Sequence, residues 1–147
     1  NGKRITIPDH FDFTIETIGV FSNHELVRIA CQSMFTKLDT LQRTIREQTI
    51  PIKKSNTTLN HGFDVVLENE DYTLGKAIEY ALYAMFYEGR KEQIMSYVGF
   101  RKEHPHDSHS LLRIGFKEQT EASSVLQYLM EASAEVRNIY GVIHDSV

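Results

Sequence analysis

Phe63-Asp64-Val65-Val66-Leu67-Glu68-Asn69-Glu70-Asp71-Tyr72-Thr73-Leu74-Gly75-Lys76 changes its hydrophobic period midway. Phe63, Val65 and Leu67 alternate with Asp64 and Glu68, the pattern of a strand with one apolar face. Beyond the acidic stretch 68–71, Leu74, Ala77, Ile78, Ala81, Leu82 and Met85 recur at spacings of three and four, which is the stripe of a helix. Thr73 reads as its N-cap, with the preceding acids well placed for the helix dipole. Tyr80, Tyr83, Phe86 and Tyr87 widen the apolar face enough for contact on two sides.

Working outward, Gly89 and the charged run 90–92 end that helix, and Tyr97-Val98-Gly99-Phe100 reads as a strand before the hydrophilic loop 101–108. Leu112, Ile114 and Phe116 alternate with Arg113 and Gly115, giving a further strand most simply antiparallel to the last. A closing helix from about Gln119 carries Val125, Leu126, Leu129, Met130, Ala132, Val136, Ile139, Tyr140 and Ile143 as buried candidates. Towards the N-terminus, Ile50-Pro51-Ile52-Lys53 is a short extended segment, and Ser55 to Thr58 with Asn60-His61-Gly62 forms the junction. A long helix precedes it, opened by the capping box Ser22-Asn23-His24-Glu25 and striped by Leu26, Ile29, Ala30, Met34, Leu38, Leu41 and Ile45 to about Gln48. Before Gly19, Phe11, Phe13 and Ile15 alternate with Asp12, Thr14 and Glu16 and predict a strand, and Arg4-Ile5-Thr6-Ile7 predicts another, stopped by Pro8. The order of elements predicts an α+β fold, with helices on one face of a largely antiparallel sheet.

The 147 residues are 41% hydrophobic and 24% charged, enough for one compact domain or two closely packed halves. A net charge of −4 provides no global electrostatic footprint for a phosphate backbone, so little or no direct nucleic-acid contact is expected. Cys31 stands alone and falls within a helical apolar pattern, which reads as a buried thiol in a reducing, intracellular compartment. Neither a membrane span nor a secretory signal is visible.

Candidate chemistry is sparse. His104, His106 and His109 with Asp107 are ligand types for zinc, but the spacing fits no defined motif and reads as a solvated loop. Asp12 with Glu16, and Glu68 with Glu70, read as solvated carboxylates rather than an acid–base pair. Ser33, Ser123 and Ser124 lack nucleophile-elbow surroundings, and Gly75 and Gly99 belong to no phosphate-cradling pattern. The aromatic group 80–87 has no interleaved basic stripe and reads as core or subunit interface rather than a base-stacking platform. Arg90, Lys91, Arg101 and Lys102 read as a solvated basic face.

Glu70-Asp71-Tyr72-Thr73-Leu74-Gly75-Lys76 before a long helix resembles the Glu-Asp-His-Thr-Leu-Gly-Asn signature of the small L-type platform subunit of archaeal and eukaryotic RNA polymerases. Tyr97-Val98-Gly99-Phe100, His104-Pro105 and Leu111-Leu112-Arg113-Ile114 are similar to the segments that come next in that family, and the likeness spans about Ile50 to the C-terminus. Thr73, Leu74, Gly75, Gly99, Phe100, His104 and Pro105 are the motif residues carried over. Tyr72 and Lys76 depart from the pattern, and residues 106–109 form a polar loop of this chain's own.

Phe11, Phe13, Ile15, Glu16, Thr17 and Gly19 resemble the strand that precedes a long helix in the second half of the D-type dimerisation domain. The resemblance thus divides the chain into a D-like part, 1–48, and an L-like part, 49–147. Such a union is similar to the fused platform subunit of large nucleocytoplasmic DNA viruses. It also implies that the first half of the D-like domain precedes Asn1.

Together these resemblances imply a non-catalytic structural subunit of DNA-directed RNA polymerase, built on the alpha-like dimerisation fold. The D-like half would pair with the L-like half and mount the second-largest and largest subunits, with small zinc-binding subunits nearby. Neither a cofactor nor a metal is implied here, and the expected location is the site of transcription, whether nucleus, cytoplasm, viral factory or virion. The interface would draw on Leu26, Ile29, Met34, Leu38, Leu41, Leu74, Ile78, Leu82, Met85, Leu126 and Leu129. The other expectation is an α+β dimerisation module serving a protein partner outside transcription.

Overall fold

In the computed structural model, which describes residues 9–70 and 72–147, three helices pack on a four-stranded sheet. The expected strand at 4–7 and Asp71 lie outside the described residues. Helix α1 spans Asn23–Arg46; Ser22 accepts from the Glu25 N–H and the Glu25 carboxylate accepts from the Ser22 N–H, completing the capping box. Those hydrogen bonds hold the Glu25 carboxyl below its ordinary pKa.

Strands β1 (Ile52–Lys54), β2 (Gly62–Glu68), β3 (Met95–Arg101) and β4 (His109–Phe116) are ordered β1-β2-β4-β3, every neighbouring pair antiparallel. Helix α2 (Tyr72–Leu82) connects β2 to β3, and β4 returns between those two strands, so β2-α2-β3 is a split β-α-β unit. Helix α3 (Ala122–Ser146) closes the chain. The strand period decides which face is buried: Phe63 lies opposite Ile114 and Val65 opposite Leu112, while Val98 and Phe100 of β3 continue the same two rows. These side chains join Leu74, Ile78, Leu82, Phe86, Val125, Leu129 and Val136 in one hydrophobic core. α+β, with helices backing one face of an antiparallel sheet, is therefore the observed class.

Four features differ from expectation. Residues 11–16 form no strand: Phe11, Phe13, Ile15 and Ile18 are exposed, Phe13 to 86% and Ile18 to 98%. Alternation records a capacity to pair, and no described strand lies beside this segment to take its backbone hydrogen bonds. Thr73 is not the N-cap of α2; the helix already includes Tyr72, so Thr73 sits in its first turn. The C-terminal end of that helix widens into a π turn, Tyr83–Tyr87, in which the Glu88 N–H donates to the Tyr83 carbonyl. Finally, α3 starts at Ala122, with Glu121 at the cap position.

Candidate functional site

Helix α1 packs on α3 and touches α2, so the three helices share one layer. Met34, Leu38, Leu41 and Ile45 are buried in the common core with Leu74, Ile78, Leu82, Met85 and Leu129, and Leu126 packs half-buried against it. Of the expected interface residues, Leu26 is half-buried and Ile29 is 44% exposed, so Ile29 does not belong to the buried stripe. Its phase explains this: Ile29 precedes Leu38 by nine residues, roughly two and a half turns, and so projects from the opposite side of α1. Cys31, one turn before Met34, occupies the buried row instead, and burial raises its thiol pKa.

Polar contacts fix how the helices meet. Gln42 Nε2 donates to Ser133 Oγ at 3.0 Å, and Ser133 Oγ donates to the Met130 carbonyl at 2.7 Å, which satisfies a fully buried hydroxyl. Arg137 pairs with Asp39 while its guanidinium lies 5.1 Å from the centre of the Phe35 ring. Lys37 Nζ reaches Glu70 at 2.9 Å and ties α1 to the turn between β2 and α2. Glu70 is thus a partnered, half-buried carboxylate rather than a solvated one. Arg90 and Lys91 are likewise engaged, pairing with Glu135 and Glu131 of α3. The Lys91 bond lowers the Glu131 pKa and raises that of Lys91.

The motif residues divide into two groups. Gly75 is buried on α2 directly beneath Phe100 of β3, where an added Cβ would overlap the aromatic ring. Tyr72 meets the same ring edge-on, centroids 5.4 Å apart. The Leu74-Gly75 and Gly99-Phe100 motifs are thus the two sides of one helix–strand contact, with glycine admitting the ring. On the other face of β3, Tyr97 lies across Gly99. His104 and Pro105, by contrast, stand exposed in the β3–β4 loop. There the His104 N–H donates to Asp107 Oδ2 at 3.0 Å and the Asp107 N–H donates back to the His104 carbonyl at 3.0 Å, closing a polar turn. Among the described residues, no group of three His, Cys, Asp or Glu side chains converges to hold a metal ion.

On the sheet's outer face, Arg113 donates to both oxygens of Asp64, at 2.8 and 3.1 Å. Asp64 is only 5% exposed, and the bond to it raises the Arg113 pKa. Sequence reasoning missed this pair, although the two residues face each other across β2 and β4. A cleft of about 250 Å³ opens between α1 and the β2–α2 turn. Its Thr40 and Thr44 hydroxyls donate to backbone carbonyls of α1, and its Lys37 is bound to Glu70, so these polar groups serve the fold. The tyrosines divide from their neighbour Phe86: Phe86 is fully buried, whereas Tyr72, Tyr80, Tyr83 and Tyr87 are exposed, Tyr83 and Tyr87 stacked at 4.7 Å.

No family model matches the chain, and no curated protein matches it. Among the described residues, no helix is long and apolar enough to cross a membrane.

Proposed function

We propose that the chain is a structural subunit of a multisubunit DNA-directed RNA polymerase, a fused D-like and L-like platform on which the two large catalytic subunits assemble. The reading rests chiefly on the packing of α1, from the D-like part, into the same core as α2 and α3 of the L-like part. A single layer of long helices behind an antiparallel sheet suits a rigid mount, because its relative orientations are fixed by buried side chains and by the Gln42–Ser133 and Lys37–Glu70 contacts. The Gly75–Phe100 contact supports the same reading, since it gives the two motifs of the resemblance one physical task.

In this reading the D-like side holds the second-largest subunit and the L-like side the largest, with small zinc-binding subunits nearby and no cofactor in this chain. Nucleotidyl transfer belongs to the large subunits. The test is affinity purification of the tagged chain from its native transcription system. Both large polymerase subunits are expected in the complex, and Leu38→Asp, which places an unpaired charge in the shared core, should abolish their recovery. Recovery of the chain with partners that include neither large subunit overturns the proposal and leaves a dimerisation module outside transcription.

A further inference from the structure

The sheet ends at β3 with an edge to which no described strand is paired. That edge is seven residues long, against three for β1 at the opposite end. Free strand edges present unpaired backbone donors and acceptors and are templates for strand addition unless something blunts them. β3 has no proline, and its core-side residues Val98 and Phe100 are only half-buried, because the sheet stops beside them. Above them runs α2. Tyr83 follows Tyr72 by eleven residues, about three turns, and so shares its flank, the flank that meets Phe100. Exposed Tyr72 and the stacked pair Tyr83–Tyr87 thus lie on the flank of the helix that packs over β3. Lys102 and Arg101, the latter also meeting the exposed Glu103 at 3.3 Å, make the end of the edge basic.

The same chain carries a segment with the complementary pattern. Phe11, Phe13 and Ile15 alternate with Asp12, Thr14 and Glu16, and they are exposed, with no described strand beside them. In this chain the segment is tied to the start of α1, where Asn23 Nδ2 donates to the Ile15 carbonyl, and α1 packs chiefly on α3. We infer that residues 11–16 add as a fifth strand to the β3 edge of a second copy, burying Phe11, Phe13 and Ile15 beneath the tyrosine flank. Asp12 and Glu16, at opposite ends of the added strand, then lie on the outer face, one of them beside Arg101. Exchange in both directions gives a closed twofold dimer, in which each copy donates one strand and receives one. The inference stands apart from the proposed transcriptional role.

Sedimentation velocity of the whole chain over a concentration series tests it. A monomer–dimer equilibrium is expected, weakening as salt screens the strand's carboxylates. Phe13→Asp should return the chain to monomer without changing the melting temperature measured at concentrations too low for the dimer, since Phe13 makes no core contact. Asp12→Lys with Glu16→Lys in one chain, or Arg101→Glu with Lys102→Glu in another, should each be monomeric alone and should form a heterodimer when mixed. A wild-type chain that stays monomeric throughout overturns the inference, as does a dimer unaffected by Phe13→Asp or a mixture of the charge variants that fails to associate.

Discussion

Gly75 is the residue at which the smallest change should have a disproportionate effect. The Phe100 ring fills the space a Cβ would occupy, so Gly75→Ala must displace the ring or part the helix from the strand, and a loss of about 1–3 kcal/mol is expected. Urea unfolding measures it, and adding Phe100→Leu should recover part of the loss because the smaller side chain yields. Asp64 presents the opposite case, a buried charge held by the Arg113 guanidinium. Arg113→Met removes both of its hydrogen bonds, and should cost about 1.5–3 kcal/mol in the same assay. Neither contact is legible as such in the sequence. Gly75 and Phe100 belong to separate elements, and the meeting of Asp64 with Arg113 depends on β4 returning beside β2, which alternation alone does not specify.

At the scale of elements, helical phase separates α1's core row from its surface. Leu38→Ala should destabilise by about 2–5 kcal/mol, as loss of a fully buried leucine does, whereas Ile29→Ala should change stability by no more than about 0.5 kcal/mol. Thermal melts of the two variants check both. The sequence makes the helix plain but leaves Ile29 ambiguous, because a three-residue step from Leu26 fits a stripe that the core does not use. Strands at 63–68 and 112–116 are legible because their alternation coincides with a real neighbour. The same alternation at 11–16 misleads, since a strand also needs another backbone to pair with. The π turn leaves no mark, as shifting a hydrogen bond by one residue requires no particular side chain.

Acid titration tests the link between the loop after the π turn and α3. Lys91 holds the Glu131 carboxyl below its ordinary pKa, so the pair's contribution is present above the usual glutamate range and is lost as pH falls through the folded value. The melting temperature of the wild-type chain should therefore fall more on acidification than that of Glu131→Gln, the two converging at low pH. Parallel curves across the whole range would remove the pair from the acid response.

For the whole molecule, the decisive matter is whether α1 behaves as a single solid with the sheet and the two later helices. Burial places Met34, Leu38, Leu41 and Ile45 in the same apolar cluster as Leu129 and Val136, and a shared cluster should open as a unit. A layer of helices built this way keeps its outer surfaces at fixed separations, which two tethered modules would not. Native-state hydrogen exchange across α1 and α3 measures this most directly. Amides of residues 34–45 should exchange with the same opening free energy as those of residues 125–136; exchange of α1 well ahead of a still-protected α3 would contradict the account.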